Sequence, residues 1–279
     1  MKRSTSFIIV TAIYMLVVAV GFGVYCALSC AVWLKLLVAD CVATVVTFIC
    51  SVIFRNASVY DPYWSVQPIV ITLGFLCAGN FSLTGILITL VVCLWGVRLT
   101  VNWAYTFHGL NHQDWRYTML KEKTGALYPF VNFFGIHLVP TLVVYACVLP
   151  AVYVIQTQPV FSAWCLIGLA ISVFAVILQG VADIQMHKYR KNRTTPFIQT
   201  GLWKYSRHPN YLGEICMWWG VCVYALGVLG FQWYLVVGAI ANTLLFVCIS
   251  IPLADGRQSK KDGFAEYKRK TRMLLPIKK

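Results

Sequence analysis

Long stretches without a charged residue constrain this chain more than any other feature of its sequence. No Asp, Glu, Lys or Arg occurs over 4–34, 62–97, 124–182 or 215–254. A helix needs about 20 mainly apolar residues to cross a bilayer, so each stretch holds at least one crossing and the two longest hold two. Only 11% of the residues are charged, against roughly 25% in soluble domains, which excludes a soluble globular protein.

Turn-forming residues divide the two longest stretches, at 156–159 and at 227–230. The pattern therefore predicts an all-α, polytopic transmembrane helix bundle of seven to eight spans. The third segment is short and follows Pro62, so we expect it to be tilted or re-entrant. We predict an N-terminal transmembrane pair over 1–60 and a catalytic domain over 61–279. The predicted segments are 6–27, 33–54, 64–79, 82–104, 130–154, 160–183, 211–228 and 231–252.

Lys and Arg residues concentrate in the segments that eight spans would leave on one side of the membrane. Fifteen of the 23 lie from Lys188 onward, whereas the opposite side retains only Lys35. The positive-inside rule then predicts that both termini are cytosolic, in the endoplasmic reticulum of a eukaryote or the inner membrane of a bacterium. The final pair, Lys278 and Lys279, is either an endoplasmic-reticulum retention signal or a lipid-facing basic pair. The basic segments are 1–5, 55–63, 105–128, 184–210 and 253–279.

The 11 cysteines lie mostly inside predicted spans and form no CxxC pair. In that setting cysteine behaves as a small apolar residue, so we expect neither a metal site nor a redox role. We expect a lipophilic small-molecule partner within the bilayer and no nucleic acid.

Ionisable residues at membrane depth are costly and mark candidate sites. Asp40 lies within the second predicted span, where it is either paired with Lys35 or near the membrane interface, and its role is either structural or functional. In the sixth, Gln179, Asp183 and His187 recur every four residues and share one helix face. This stripe is either a polar seam between helices or the wall of a ligand cavity.

A basic and aromatic stretch follows this stripe, beginning with Arg190. At its end Arg207 and His208 flank Pro209, a residue typical of the first helical turn, and a helix N-terminus attracts anions. Asn210 and Glu214 are four residues apart and share a face of that helix. This set would suit a phosphate-bearing cofactor.

The run 201–214, GLWKYSRHPNYLGE, resembles the signature of the steroid 5-alpha-reductase-like membrane family, and most closely its branch of uncharacterised proteins. Phe264, Tyr267, Thr271 and Pro276 are similar to the closing pattern of that family. The resemblance covers about 90–279. It implies an NADPH-dependent reductase of an activated carbon–carbon double bond in a steroid, sterol or enoyl lipid. The cofactor-binding residues it implies are Gln179, Asp183, Arg190, Arg207, His208, Asn210, Tyr211, Glu214, Lys260 and Tyr267.

The catalytic half of the reductase pattern matches in part. The resemblance implies Asp61 as the acid and Arg98 as the arginine, whereas Trp95 stands at the tyrosine position. Tyr63, Tyr60 or Tyr105 would replace that tyrosine, and the predicted catalytic set is Asp61, Tyr63 and Arg98. The alternative for Asp61 is a helix N-cap before Pro62.

Two other functions remain open. Integral-membrane methyltransferases that modify prenylcysteine or phospholipid share the Arg-His-Pro-x-Tyr-x-Gly core and bind S-adenosylmethionine. They typically carry two adjacent glutamates where this chain has Ala254 and Asp255, and Asn210 followed by Glu214 favours the reductase. The second alternative is a non-catalytic lipid-binding relative, which Trp95 keeps open.

Overall fold

The computed structural model describes residues 1–277, so Lys278 and Lys279, considered above as a retention signal, lie outside the described residues. Within the described chain the ordered segments are almost entirely helical, with short 3-10 turns at Ala57–Tyr60, Gly125–Leu127 and Gly201–Lys204 and π-helical turns at Val131–Leu138 and Phe246–Ser250. The α-helices are α1 (Arg3–Ala27), α2 (Val32–Ile53), α3 (Tyr63–Ala78), α4 (Leu83–Thr106), α5 (Trp115–Thr124), α6 (Tyr128–Phe130), α7 (Val139–Thr157), α8 (Ala163–Lys191), α9 (Pro209–Leu229), α10 (Trp233–Leu245), α11 (Ile251–Gln258) and α12 (Phe264–Lys270).

Seven helical segments within residues 1–277 are long and apolar enough to cross a membrane, so the protein is an integral, multi-pass membrane protein. The all-α bundle predicted from the charge gaps is confirmed. The predicted third segment is α3, which has 16 residues and is not among the seven. The seven segments are Arg3–Ala27, Val32–Ile53, Leu83–Thr106, Trp115–Thr157, Ala163–Lys191, Pro209–Leu229 and Trp233–Gln258.

The predicted turns end the helices where the sequence indicated. After α7, Gln158 adopts a left-handed conformation with φ 49°. After α9, Gly230 has φ 74°, a conformation that glycine adopts without the steric cost of a Cβ atom. Pro209 opens α9 in its first turn, as predicted.

Glycines allow α8 and α9 to pack closely against each other. A Cβ atom built on Gly220 would lie 2.2 Å from the Ser172 hydroxyl oxygen, and one on Gly168 would lie 2.7 Å from the Gly220 carbonyl oxygen. Small residues at a contact let helix backbones approach in a membrane, where lipid tails supply no hydrophobic drive for helix association. The close packing of these two helices brings the C-terminal end of α8 and the N-terminal end of α9 together at the candidate site.

Segments far apart in sequence meet at one end of the bundle. The Arg3 guanidinium donates a hydrogen bond to the Ala104 carbonyl (2.7 Å), and the Asn56 side-chain amide donates to the Leu110 carbonyl (2.7 Å). The C-terminal tail pairs through its backbone with the segment preceding α9. These are the segments that the distribution of Lys and Arg placed together, and their assignment to the cytosol stays a prediction, as does the division at residue 60.

Candidate functional site

A cavity of about 850 Å³ opens at this end of the bundle, within the size range of small-molecule sites. It is bounded by the turn before α3, the end of α4 and the loop after it, the end of α8, the segment 197–211, and α11 and α12. Its lining is rich in aromatic side chains: Trp103, Tyr105, Phe107, Trp115, Phe197, Trp203, Tyr211, Phe264 and Tyr267.

Acidic and basic side chains both line this cavity, and Arg207 is the buried base among them. The four carboxylates are between 8% and 27% exposed. Three exposed basic side chains lie at the rim, and Arg190 is the one among them that the sequence predicted. The acids are Asp61, Asp114, Asp183 and Asp255, and the rim cations are Arg190, Lys191 and Arg257.

Arg207 and His208 are held by Asp255, which lies on α11. The Arg207 guanidinium pairs with the Asp255 carboxylate (3.1 Å), and the His208 Nε2 atom lies 2.9 Å from the other carboxylate oxygen. Arg207 also donates to the Thr271 carbonyl (2.7 Å), and the His208 ring stacks on Tyr211 with their planes 4° apart. The predicted residues Arg207, His208 and Tyr211 therefore line the cavity as one connected cluster.

Asn210, in the first turn of α9, also lines the cavity. Its side-chain oxygen is buried and has no hydrogen-bond partner within the described chain. Leaving a buried acceptor unpaired costs about 1–3 kcal/mol. The Asn210 oxygen is thus an unpaired acceptor on a residue of the cavity wall.

Asp61 lies beside the cavity at the turn between the Ala57–Tyr60 segment and α3. Its carboxylate accepts a hydrogen bond from the Tyr117 hydroxyl (2.5 Å) and lies 4.0 Å from the Arg116 guanidinium. The N-cap alternative is wrong, because Pro62 occupies the N-cap position and no side chain caps α3. Burial raises the pKa of Asp61 from 3.8 to about 6, although Arg116 and the Tyr117 hydroxyl both lower it.

The polar stripe of α8 faces α4. The Arg98 guanidinium donates to Asp183 (2.6 Å) and to Gln179 (2.5 Å), and the His187 Nε2 atom lies 2.7 Å from the Asn102 side-chain oxygen. Asp183 and His187 also line the cavity, whereas Gln179 is buried behind them. Both alternatives for the stripe therefore apply, since its deep end is a seam between helices and its outer end is a cavity wall.

Glu214 lies outside the cavity lining, although it shares a helix face with Asn210. It is one turn deeper in α9, and its buried carboxylate accepts hydrogen bonds from Trp95 (2.9 Å), Gln179 (2.8 Å) and Trp218 (3.0 Å). The indole of Trp95 is thus a donor within the core. Trp95, Trp218 and Gln179 occupy the surroundings of Glu214, where a cofactor contact was expected. That contact stays a prediction.

The three remaining predicted residues, Tyr63, Lys260 and Tyr267, lie in different places: one in a second cavity, one on the surface and one in the wall of the large cavity. Tyr63 donates to the Asp40 carboxylate (2.6 Å) and lines a second cavity. Lys260 is exposed and lies outside both cavities. Tyr267 lines the large cavity, and its hydroxyl donates to the Trp203 carbonyl.

Sequence reasoning missed Asp114 and Asp255 as members of the cavity wall. Asp255 follows the uncharged stretch 215–254 and stands where the integral-membrane methyltransferases considered as an alternative carry glutamates, and this correspondence was the signal that could have identified it. Asp114 caps α5 by accepting from the Arg116 amide (2.8 Å). Nothing in the sequence near Asp114 indicated that α5 would approach the α8–α9 junction.

Comparisons with known proteins identify the family. The chain is 29% identical over 197 residues to an uncharacterized protein of Schizosaccharomyces pombe, covering 60% of this chain and 57% of that protein. It is 29% identical over 118 residues to methanethiol S-methyltransferase 1 of Bradyrhizobium diazoefficiens, covering 42% of this chain and 39% of that enzyme. Neither relative bears a steroid-reductase name, and no solved structure matches. Residues 47–271 match the DUF1295 family, whose members are described as proteins of unknown function, and the chain belongs to that family.

Proposed function

We propose that this protein is an integral-membrane methyltransferase that binds S-adenosylmethionine in the large cavity and methylates a lipophilic acceptor. The observation that carries the proposal is the cavity lining of acids and aromatic rings beside the Arg207–His208–Asp255 cluster. Asp255 stands at the second position of the glutamate pair expected of the membrane methyltransferases. It is an acid of the same charge, and it holds the Arg-His core that those enzymes share.

The residues fit the proposed donor by charge. S-adenosylmethionine carries a sulfonium and an ammonium cation and one carboxylate, so it gains from nearby carboxylates and from aromatic faces. Asp61 and Asp183 supply carboxylates in the lining, and Trp115 and Tyr211 supply rings. The unpaired Asn210 oxygen would accept a hydrogen bond from an amino group of the ligand.

When bound, S-adenosylmethionine supplies a methyl group activated by the sulfonium charge, and the bonding electron pair stays on the donor sulfur as the methyl group leaves. Asp61 is the residue proposed to take the proton that the acceptor loses. Its pKa of about 6 leaves it mainly as a carboxylate at neutral pH, which is the form a general base requires. The Tyr117 hydroxyl and Arg116 orient that carboxylate, while Asp255 orients Arg207 and His208.

The acceptor class follows from the named relative and from the membrane setting. The enzyme of Bradyrhizobium diazoefficiens is named for methylating methanethiol, and this chain spans 39% of its length. We therefore propose a thiol on a lipophilic molecule as the first acceptor class to test. A bilayer concentrates such molecules next to a cavity at the end of the helices.

The competing function is the NADPH-dependent reductase implied by the resemblance. The basic rim of Arg190, Lys191 and Arg257 favours it, because phosphates would gain from those charges. Glu214 weighs against it, since a residue expected to hold the nicotinamide end is enclosed by two tryptophans and Gln179.

Isothermal titration of the purified protein with S-adenosylmethionine and with NADPH separates the two functions. We expect S-adenosylmethionine to bind, and Asn210→Ala to weaken that binding by about tenfold, the upper size of one net hydrogen bond. Lys260→Ala is the matched control, because Lys260 is exposed and outside the cavity, and it should bind as the unmodified protein does. Binding of NADPH with no binding of S-adenosylmethionine would reject the proposal.

A further inference from the structure

A second cavity lies among α1, α2 and α3, within the apolar part of the bundle. Its volume is about 290 Å³, at the lower end of the range for small-molecule sites. Val18, Phe22 and Val70 border it and are exposed on the outer face of the helices, Phe22 by 68%. In a membrane that face contacts lipid, so a molecule dissolved in the bilayer can reach the cavity without crossing water.

The polar end of this cavity is formed by Asp40, about two turns into α2. One carboxylate oxygen accepts from the Tyr63 hydroxyl (2.6 Å) and the other from the Gln67 side-chain amide (3.0 Å). The neighbouring base Lys35 lies elsewhere, with its ammonium 4.5 Å from the centre of the Tyr25 ring. The expected pairing of Asp40 with Lys35 is therefore wrong, and within residues 1–277 no basic side chain forms an ion pair with Asp40.

Gln67 adds a second free acceptor at the same place. The residue is 8% exposed, and its side-chain oxygen is buried without a hydrogen-bond partner in the described chain. Each carboxylate oxygen of Asp40 also keeps a lone pair beyond the one bond it accepts. The site thus offers several acceptors and a carboxylate, whereas the rest of its lining is almost wholly apolar.

We propose that this second cavity binds a lipophilic amine, whose ammonium group pairs with Asp40 and whose hydrocarbon part lies against α1 and α3. An ammonium group has three N–H donors and no acceptor, which matches the free acceptors of Asp40 and Gln67. An acid at membrane depth is strongly stabilised by a counter-charge. The proposal is independent of methyl transfer, because the amine site lies apart from the cavity proposed for the methyl donor.

Two glycines provide a matched pair of variants. Gly74 lines the second cavity, and a Cβ atom built on it meets nothing within 4 Å. Gly23 also has nothing within 4 Å of such an atom but does not line the cavity. A side chain at position 74 starts from open space in the lining of the cavity, so we expect leucine there to occupy part of it, whereas position 23 lies outside the lining. Neither variant should lower the temperature of unfolding, because leucine favours helix over glycine.

The test uses a diazirine-bearing dodecylamine and the full-length protein in phosphatidylcholine nanodiscs, with cross-linked peptides mapped by mass spectrometry. We expect labels on α1, α2 and α3 that unlabelled dodecylamine displaces and that dodecanol and dodecanoate do not. Gly74→Leu should reduce this labelling about tenfold and Gly23→Leu should leave it unchanged. Asp40→Asn should remove the preference for the amine over the alcohol, because breaking a buried charge pair weakens binding by about tenfold or more.

Equal displacement by the three dodecyl compounds would overturn the proposal, as would undiminished labelling of Gly74→Leu. Should Asp40→Asn fail to fold, Gly74→Leu still decides the question. Titration of the same nanodiscs with S-adenosylmethionine tests the large cavity independently. Failure of the amine to bind and failure of the methyl donor to bind are therefore distinguishable results.

Discussion

The Asp255 carboxylate contacts three basic side chains at the large cavity. It accepts from Arg207 and His208 and lies 3.3 Å from the Lys268 ammonium, so α11, α12 and the start of α9 depend on one carboxylate. Arg207 and Asp255 are both 8% exposed. Removing one partner of a buried ion pair leaves the other charge uncompensated, at a cost of about 3–5 kcal/mol.

We therefore expect Asp255→Ala to lower the midpoint of thermal unfolding in detergent by about 5 °C or more. Glu266→Ala is the control, because the Glu266–Lys270 pair is exposed on α12 and such pairs contribute little. Differential scanning fluorimetry of the two variants measures the contrast. Equal midpoints would show that the Arg207–Asp255 pair does not stabilise the fold.

The shifted pKa of Asp61 makes stability depend on pH in a defined direction. The folded-state pKa of about 6 lies above the ordinary value of 3.8, so the protonated form of Asp61 is favoured on folding. This contribution is fully present below about pH 4 and is lost as the pH rises through about 6. Asp61→Asn carries no titrating group at that position.

The free energy of unfolding of Asp61→Asn relative to the unmodified protein should rise between about pH 4 and pH 7, by on the order of 2 kcal/mol. Unfolding by denaturant at the two pH values measures this difference. Asp262→Asn, which changes an exposed acid, serves as the control. A difference that stays constant with pH would mean that Asp61 titrates normally.

At the scale of single residues, the sequence identified many of the residues at the large cavity but not the side chains that they contact. The four-residue spacing of Gln179, Asp183 and His187 placed them correctly on one face. Their contacts with Arg98 and Asn102 join positions more than 80 residues apart, and local periodicity carries no information on such pairs. Glu214 illustrates the same limit, because a shared face does not specify how far along the helix the cavity ends.

Among the elements, the packed pair α8 and α9 depends on glycines rather than on large side chains. Gly220 and Gly168 approach the opposite helix so closely that no Cβ atom fits. Forcing extra atoms into a packed contact typically costs about 1–3 kcal/mol. Separation of these helices would also move Asp183 and Asn210, which lie at the cavity ends of the pair.

Gly220→Ala should lower the midpoint of thermal unfolding and weaken binding of S-adenosylmethionine together. Gly23→Ala is the matched control, since its Cβ atom would meet nothing within 4 Å and alanine favours helix by about 1 kcal/mol over glycine. Thermal unfolding and titration calorimetry of both variants give the comparison. An unchanged midpoint and an unchanged affinity for Gly220→Ala would contradict this, because they would show that the two helices accept the extra methyl group without loss of stability or binding.

The helices themselves were largely predictable, because membrane spans are long and uncharged and their turns carry recognisable residues. The segment α3 departs from this rule. Its 16 residues are too few to identify a span by length, and its role is to place Asp61, Tyr63 and Gln67 next to other helices. Such placement depends on packing of α3 with α4 and α7, which the pattern of hydrophobic residues does not encode.

For the whole molecule, the residues behind the net charge of +14 are unevenly distributed in space. Basic segments gather at the end of the bundle that holds the large cavity, where the exposed side chains of Arg190, Lys191 and Arg257 line it together with the buried Arg207. The basic charge from which we predict the orientation in the membrane is therefore also present around the proposed site. An apolar acceptor would arrive from the bilayer and the methyl donor from the aqueous side.

The most direct test of the central claim is transfer of a radiolabelled methyl group from S-adenosylmethionine to dodecanethiol by the purified protein. We predict that label appears in the organic extract in proportion to the protein added and that Asp61→Asn reduces it strongly. The contradicting result is an extract no more radioactive than the protein-free control, from a preparation that oxidises NADPH when supplied with membrane lipids.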